Sequence, residues 1–237
     1  GKPMVVFTAM QALESGASRV VVAHDHDRIQ AACEAHDIAC VRTGSRHQSG
    51  TERLAEAITL MELAEDTIVV NVQGDEPEIP PALIDALASC LASDPECPMA
   101  TAVHPVQSVA DWLNPNVVKV VADAEERALL FSRAPLPWSR SHLAWGLDAG
   151  TPQARQAFEA AQPLRHIGMY AYRSRFLTRY AQLAPCALED IEALEQLRVL
   201  HHGYRIKLLH TDDAPPAGVD TPADLERVRA RLGQGTH

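Results

Sequence analysis

A short apolar run that ends in a carboxylate-bearing turn constrains the fold of this chain more than any other feature. Residues 68–70 read Ile-Val-Val and pass directly into Asn-Val-Gln-Gly-Asp-Glu-Pro at residues 71–77. An apolar run of strand length with such an ending is typical of a buried parallel strand followed by a polar loop. Ligands of open α/β sheets bind beyond the carboxyl ends of the strands, so we expect Asp75 to face a ligand crevice.

The rest of the chain alternates between helical and strand patterns. Spaced apolar residues predict helices, and short runs of branched apolar residues predict buried strands. This order predicts an α/β fold with a Rossmann-like, mostly parallel sheet and helices on both faces. The expected helices cover residues 4–15, 27–35, 49–63, 80–90, 188–201 and 221–232, and the expected strands cover residues 19–23, 68–72, 99–103, 166–172 and 206–209.

The middle of the chain interrupts this alternation. Residues 117–121 and 128–131 predict a hairpin that turns at residues 123–126. Residues 135–163 contain proline, tryptophan and glycine and predict an irregular loop or arm. A connection of that length usually binds a ligand or packs against a partner.

Length and charge limit the class of protein. A chain of 237 residues is long enough for one α/β domain, so we expect residues 1–237 to form a single domain. A formal net charge of -10 disfavours nonspecific binding of nucleic acid, which needs clusters of lysine and arginine. No apolar stretch approaches the ~20 residues of a membrane helix, and residues 1–4 lack the pattern of a signal peptide.

Cysteine usage and missing cofactor motifs narrow the chemistry. Five cysteines without a C-x-x-C pair predict reduced thiols in a cytoplasmic protein, with a zinc site as the alternative. The sequence has no Walker phosphate loop, no G-x-G-x-x-G after a strand, no H-E-x-x-H and no G-x-S-x-G. These absences argue against P-loop ATPases, dehydrogenases, metalloproteases and esterases.

Two carboxylates form the best candidate metal site. Asp75 follows one predicted strand, and Asp220 precedes the last predicted helix. Carboxylates that converge from different strands commonly hold Mg²⁺, a hard cation that prefers oxygen ligands. Alternatively, Asp75 only forms a turn before proline, and Asp220 only precedes the helix cap. Residues 221–224, Thr-Pro-Ala-Asp, resemble a capping box.

The start of the helix expected at residues 49–63 is a candidate nucleotide site. Backbone N–H groups at Ser49 and Gly50 favour an anion or a base carbonyl, and Arg53 adds a positive charge one turn later. Alternatively, Ser49 only caps the helix and Arg53 lies in solvent.

Further polar candidates lie on later predicted elements. His166 and Tyr170 are four residues apart in a strand and therefore point to the same face. They are either ligand groups or a half-buried pair in a sheet. Glu195 and Gln196 fall on the solvent-facing side of the helix expected at residues 188–201, whose packed side contains Ile191, Leu194, Leu197 and Leu200.

Two arginines flank a proline-rich turn. Arg133 and Arg140 lie on either side of Pro-Leu-Pro-Trp at residues 135–138. The planar guanidinium group suits recognition of a carboxylate. The alternative is that both are surface charges near an aromatic residue.

Taken together, these segments resemble one family, the CMP-Kdo synthetases (3-deoxy-manno-octulosonate cytidylyltransferases). The matching segments follow the family's order and span nearly the whole chain. They read GKPM at residues 1–4, HQSGTERLAE at 47–56, VNVQGDEP at 70–77, NPNVVKV at 114–120, FSRAPLPW at 131–138, RHIGMYAYR at 165–173, LEQLR at 194–198 and GVDTPADL at 218–225.

The resemblance implies a reaction and roles for individual residues. It implies a homodimeric, Mg²⁺-dependent nucleotidyltransferase that joins CTP and Kdo to give CMP-Kdo and pyrophosphate for lipopolysaccharide biosynthesis. Asp75 and Asp220 are expected to hold Mg²⁺, and residues 114–165 are expected to contact the second subunit. Kdo is expected to contact Gln73, His166, Tyr170, Glu195 and Gln196, with Arg133 and Arg140 as partners for its carboxylate and with Ser49, Gly50 and Arg53 on the nucleotide side.

The chain departs from the family pattern at its start. Family members open with a strand and a loop of the type Pro-Ala-Arg-x-x-Ser-x-Arg-Leu-Pro-x-Lys that surrounds the triphosphate, whereas this sequence begins at Gly1. If the protein lacks that segment, we expect weak CTP binding and little activity. Two alternatives therefore stay open beside Kdo activation: an enzyme that activates sialic acid, and a truncated relative without catalytic activity.

Overall fold

The computed structural model of the protein describes residues 2–47, 49–140, 149–212, 215–216 and 218–234, with the backbone alone at residues 232–234. The chain separates into two compact units. The first comprises residues 1–64, 70–86 and 215–237, and the second comprises residues 65–69 and 87–214. Helices alternate with strands along the chain, which confirms the predicted α/β class.

The described elements follow one another in an α/β order. None of the described helices combines the length and the apolar character that crossing a bilayer requires. In chain order the elements are α1 (Met4–Leu13), β1 (Val22–His24), α2 (Asp27–Glu34), β2 (Cys40–Arg42), α3 (Gly50–Leu60), β3 (Ile68–Asn71), α4 (Pro81–Ser93), β4 (Met99–Pro105), α5 (Val109–Leu113), β5 (Lys119–Ala122), β6 (Ala128–Ser132), α6 (Pro152–Ala161), β7 (Leu164–Arg173), α7 (Ser174–Tyr180), α8 (Ala187–Glu192), α9 (Gln196–His201), β8 (Ile206–His210) and α10 (Pro222–Gln234).

The first unit contains a parallel strand pair. β1 pairs with β2, with Val22 opposite Cys40, although the sequence analysis missed the short strand β2. An apolar cluster of Val6, Ala9, Cys33 and Ile38 joins α1 to α2 and to the chain that leads into β2. Burying these side chains is the main stabilising contribution at this end of the unit.

Polar side chains fix where two helices of the first unit begin. At α3, the Ser49 hydroxyl accepts a hydrogen bond from the Glu52 N–H at 3.2 Å. At α10, the Thr221 hydroxyl accepts from the Asp224 N–H at 3.2 Å, and the Asp224 carboxylate accepts from the Thr221 N–H at 2.9 Å. These reciprocal bonds confirm the predicted capping box.

The second unit is organised by a mixed sheet. The strand order is β6-β5-β7-β4-β8, and β3 also pairs with β7. β8 runs parallel to β4, whereas β7 runs antiparallel to both β4 and β5. β5 and β6 form the predicted hairpin, with Val120 opposite Phe131.

The prediction that residues 135–163 are irregular is wrong for part of that range, because α6 lies within it. The Thr151 side chain caps this helix by accepting from the Ala154 N–H at 3.2 Å. Buried Ala157 packs with Trp112 in an apolar cluster that stabilises the helix. Proline and glycine favour a loop here, but a threonine cap followed by proline is a helix start signal, and it prevails at residues 151–152. Residues 141–148 lie outside the described part of the chain.

The prediction of a single helix at residues 188–201 is also wrong. The structure has two short helices, α8 and α9, separated at Ala193, which adopts a left-handed conformation with φ of 50°. The break takes Ile191 off the expected packed side, where it is 81% exposed, whereas Leu194 and Leu197 of the same predicted side are 7% and 1% exposed. The apolar spacing runs through the break without interruption, so periodicity alone does not reveal it.

Candidate active site

Two loops that each carry a predicted metal ligand lie against each other in the first unit. The backbone carbonyl of Asp75 accepts a hydrogen bond from the Val219 N–H at 2.9 Å. A Cβ added to Gly218 would lie 3.3 Å from the same carbonyl oxygen, a tight contact, so the close approach favours glycine. Asp75, which is half-buried, and Asp220, which is exposed, therefore lie on adjoining loops.

A third carboxyl group, that of Glu76, belongs to the same turn. Its Oε2 atom is buried and has no hydrogen-bond partner among the residues that the structure describes. Burial, and after it the charge of Asp75, raises the pKa of Glu76 to about 7. A buried carboxyl oxygen without a partner, next to a second carboxylate, is suited to a cation. The sequence analysis did not single out Glu76, although it directly follows Asp75.

Gln73 lies beside the first turn of α3. A Cβ added to Gly50 would lie 3.7 Å and 3.8 Å from the side-chain nitrogen and oxygen of Gln73, and 4.0 Å from Nδ2 of Asn71. The backbone N–H groups of a first helical turn have no partner within the helix and favour polar or anionic groups. The structure thus brings Gln73 together with Gly50 and the helix cap Ser49.

Arg53 joins two loops of the first unit. Its guanidinium group donates to the Asp25 carboxylate at 2.7 Å, to the Thr43 hydroxyl at 2.7 Å and to the Gly44 carbonyl at 3.3 Å. The hydrogen bond from Arg53 holds the pKa of Asp25 below its usual range. These bonds connect the chain segments that follow β1 and β2. A contact between Arg53 and a nucleotide stays a prediction.

His166 and Tyr170 lie side by side on β7 in the second unit. Their ring centroids are 5.4 Å apart, which agrees with the prediction that they share a face, and the Phe131 ring centroid lies 5.0 Å from that of His166 in an edge-on arrangement. The Nε2 atom of His166 lies 2.9 Å from the hydroxyl oxygen of Thr101. Burial lowers the pKa of His166 to about 3 and raises the pKa of Tyr170 well above its usual range, so both are neutral at pH 7.

Gln196 is buried, contrary to its expected place on a solvated helix face. It is the first residue of α9 and is 3% exposed, because the break at Ala193 redirects the chain. Its Nε2 atom has no hydrogen-bond partner within the described chain. A buried amide donor without a partner is suited to an acceptor oxygen of a ligand. The preceding residue, Glu195, is exposed.

The two predicted carboxylate-binding arginines differ in their surroundings. The guanidinium of Arg133 donates to the carbonyls of Glu192 at 2.6 Å, Pro115 at 3.1 Å and Ala193 at 3.4 Å. The Glu192 carboxylate accepts from the Arg133 N–H at 2.9 Å. Arg133 therefore joins its own segment to the end of α8 and to the turn after α5. Arg140 lies exposed in a turn. Their binding of a ligand carboxylate stays a prediction.

Lys119 is a buried cation that the sequence analysis did not assign to the site. Its ammonium group donates to the carbonyls of Asn114 at 2.8 Å, Val117 at 2.5 Å and Arg133 at 2.7 Å. Burial lowers its pKa to about 8. A lysine in the middle of an apolar strand pattern is the signal that could have identified this group.

Comparisons with known proteins identify relatives over nearly the whole chain. A family model described as "Cytidylyltransferase" matches residues 1–206. The 3-deoxy-manno-octulosonate cytidylyltransferase of Methylibium petroleiphilum is 56% identical over 98% of this chain and 86% of its own length. The enzyme of the same name from Herminiimonas arsenicoxydans is 54% identical over 99% of this chain and 90% of its own length.

Solved structures also include a relative that matches nearly the whole chain. CMP:2-keto-3-deoxy-manno-octonic acid synthetase complexed with CTP has a TM-score of 0.86 and 38% identity, and the match covers 99% of this chain and 89% of that one. A 4-diphosphocytidyl-2C-methyl-D-erythritol synthase from Anaerococcus prevotii has a TM-score of 0.58 at 12% identity, which supports the fold alone. The chain belongs to the cytidylyltransferase family and, within it, to the CMP-Kdo synthetases.

Proposed function

We propose that the protein is a Mg²⁺-dependent cytidylyltransferase that converts CTP and Kdo into CMP-Kdo and pyrophosphate, as a step in lipopolysaccharide biosynthesis. The observation that carries the proposal is the hydrogen bond between the Val219 N–H and the Asp75 carbonyl, because it holds two carboxylate loops together. The names of relatives that are 53–56% identical support the same substrates.

The residues of these loops fit a magnesium ion. Asp75 and Asp220 would supply two carboxylate oxygens, and the unpartnered Oε2 of Glu76 supports a cation in this turn. Among the described residues, no group of three or more acidic, histidine or cysteine side chains is arranged to hold a metal. Two carboxylates nevertheless suffice, since Mg²⁺ usually keeps several waters and binds substrate phosphates. When bound, the ion offsets the negative charge of both substrates and polarises the phosphate.

The reaction is a single displacement at phosphorus. The anomeric hydroxyl oxygen of Kdo forms a bond to the α-phosphorus of CTP, the bond to pyrophosphate breaks, and the hydroxyl proton is lost to solvent. No residue of the chain needs to become covalently attached. The contribution of the protein is therefore mainly positioning and electrostatic stabilisation.

We propose that neutral side chains and amides recognise the hydroxyl groups of the sugar together with Glu195, and that two arginines bind its carboxylate. We assign Gln73, His166, Tyr170, Glu195 and Gln196 to contacts with Kdo, and Arg133 and Arg140 to its carboxylate. The neutral state of His166 and the unpartnered amide of Gln196 suit hydrogen bonds with sugar hydroxyls.

We assign the nucleotide to the start of α3. The N–H groups near Ser49 and Gly50 suit a cytosine carbonyl or a phosphate, and Arg53 holds the neighbouring loops.

We also propose that the protein is a homodimer with contacts from residues 114–165. We propose a cytoplasmic location, where CTP is made and where the five free thiols stay reduced.

The proposal is tested by pyrophosphate release from CTP in the presence of Kdo and Mg²⁺, with the purified 237-residue chain. Release that requires all three components is expected. Release with sialic acid but not with Kdo would reassign the sugar. A folded chain that releases no pyrophosphate with either sugar would favour the non-catalytic alternative. Light scattering tests the dimer separately, and a monomeric mass would contradict it.

A further inference from the structure

An irregularity in β7 surrounds the side chain of Thr101. The pairing of β4 with β7 shifts at this point, since Thr101 lies opposite Tyr170 and the next residue, Ala102, lies opposite Ile167. Residues 168 and 169 therefore form a bulge. The Thr101 side chain is completely buried at the bulge, where its Oγ1 atom lies 2.7 Å from the Met169 carbonyl and 3.1 Å from the Ile167 carbonyl.

Counting hydrogens assigns the direction of each bond. The third neighbour of Thr101 Oγ1 is Nε2 of His166, at 2.9 Å. A hydroxyl group has one hydrogen, and carbonyl oxygens only accept. Two oxygens 2.7 Å apart repel each other unless a hydrogen lies between them, so we place the hydroxyl hydrogen toward the Met169 carbonyl, the nearest neighbour. The remaining contact is a hydrogen bond only if Nε2 of His166 carries a hydrogen and donates it to Thr101.

The opposite nitrogen of the same ring is then an acceptor. Burial keeps the His166 imidazole neutral, so a hydrogen on Nε2 leaves a lone pair on Nδ1. Nδ1 has no hydrogen-bond partner in the part of the chain that the structure describes. Contacts with Phe131 and Tyr170 hold the ring in its plane, so the direction of this lone pair is fixed as well.

We propose that Thr101 is a positioning residue that fixes the tautomer of His166, so that Nδ1 accepts a hydrogen bond from a hydroxyl group of the ligand. This inference rests on the proposed function, in which the ligand is a polyhydroxylated sugar acid. An acceptor nitrogen selects a hydroxyl group over an ionised carboxylate or phosphate, because those groups carry no hydrogen to donate. His166 thus distinguishes the hydroxylated part of the sugar from its anionic part.

The tautomer itself is the first measurement. Nitrogen NMR of protein labelled with ¹⁵N-histidine reports which ring nitrogen carries the hydrogen, without any substrate. We expect an Nε2–H signal for His166 at pH 7 in the wild type and in Thr101→Ser, which keeps the hydroxyl. In Thr101→Val, the valine side chain has nearly the same shape as threonine but no hydroxyl, so the Nδ1–H form of His166 should become populated. Thr59→Val is the control, since the Thr59 hydroxyl also donates to a backbone carbonyl, that of Ala55 at 2.9 Å, but within α3 of the first unit.

Kinetics then connects the tautomer to the ligand. Thr101→Val should raise KM for Kdo about tenfold, the usual effect of one lost hydrogen bond, while KM for CTP stays unchanged and Thr101→Ser restores the wild-type value. A wild-type His166 with its hydrogen on Nδ1 would overturn the inference, as would a Thr101→Val variant with an unchanged KM for Kdo. If the wild type does not use Kdo at all, the proposed function fails, while the NMR result still decides the Thr101 bond. If Thr101→Val does not fold, the wild-type and Thr101→Ser spectra still decide it.

Discussion

The candidate residues of the first unit and those of the second unit are held in different ways. In the first unit, Asp75 and Asp220 lie on loops at the ends of elements, and their positions are fixed by backbone contacts. In the second unit, His166 bonds to Thr101 through its side chain, and Arg133 bonds to carbonyls through its guanidinium. The first arrangement leaves carboxylates accessible, and the second fixes the orientation of individual side-chain atoms.

Apart from Gln73, which lies in the first unit and is assigned to the sugar, this difference matches the ligands that each set is proposed to bind. A metal ion with phosphates needs charged oxygens, which remain partly hydrated because full burial of a charge is costly. A sugar presents hydroxyl groups in fixed directions, so neutral groups of fixed orientation discriminate among them. The variants below test whether the two sets respond differently.

The largest effect is expected at the metal carboxylates. Asp75→Asn and Asp220→Asn should each lower turnover at least about 100-fold, because an amide binds Mg²⁺ more weakly than a carboxylate does. Folding should be unaffected, since both loops are held through backbone atoms. Pyrophosphate release over a Mg²⁺ titration measures the loss, with Glu226→Gln on α10 as the control. Turnover at the wild-type level in either variant would remove that residue from the metal site.

The second effect concerns acid stability and His166. The imidazole titrates near 6.5 when unfolded and near 3 when folded, so the unfolded state binds more protons between these values. Stability should therefore fall as the pH drops below 6.5, by up to ~1.4 kcal/mol per pH unit. Urea unfolding at pH 7, 6 and 5 should show a smaller decline for His166→Gln than for the wild type. His201→Gln, at an exposed position of α9, should keep the wild-type decline, and an equal decline in His166→Gln would refute the argument.

The third effect concerns Glu76 in the first unit, where the free energy of unfolding should depend on pH in the opposite direction. The carboxyl of Glu76 titrates near 4.5 when unfolded and at about 7 when folded, so stability falls as the pH rises between these values. Glu76→Gln should stabilise the metal-free protein by about 1–3 kcal/mol at pH 8 and should have no effect at pH 4. Thermal unfolding in a chelating buffer measures this, with Glu14→Gln as the control. An equal gain at both pH values would contradict a titrating Glu76.

The smallest effect is expected at Ile191. Because this side chain is 81% exposed, Ile191→Gln should change the free energy of unfolding by less than about 0.5 kcal/mol. Leu197→Ala, at a position that is 1% exposed, should cost about 2–5 kcal/mol. Urea unfolding of the two variants compares the two helices directly. A large loss in Ile191→Gln would mean that a partner covers α8 in solution.

Local signals in the sequence were sufficient for much of the fold. The apolar strand β3 with its polar loop, the hairpin of β5 and β6, and the capping box at Thr221 each depend on neighbouring residues. Other features depend on contacts distant in sequence. The left-handed Ala193 carries no glycine or asparagine signal, and the bond of Thr101 to His166 spans 65 residues. The burial of Gln196 follows from the first of these, so its surroundings could not be predicted locally.

The contact at Gly218 has a consequence for the thermodynamics of ligand binding. Since Gly218 lets its loop touch the Asp75 carbonyl, the two carboxylate loops are already joined when the protein has folded. The conformational entropy needed to bring them together is lost during folding and is not lost again when a ligand arrives. Affinity for a metal–nucleotide complex is then limited mainly by desolvation rather than by ordering of the loops.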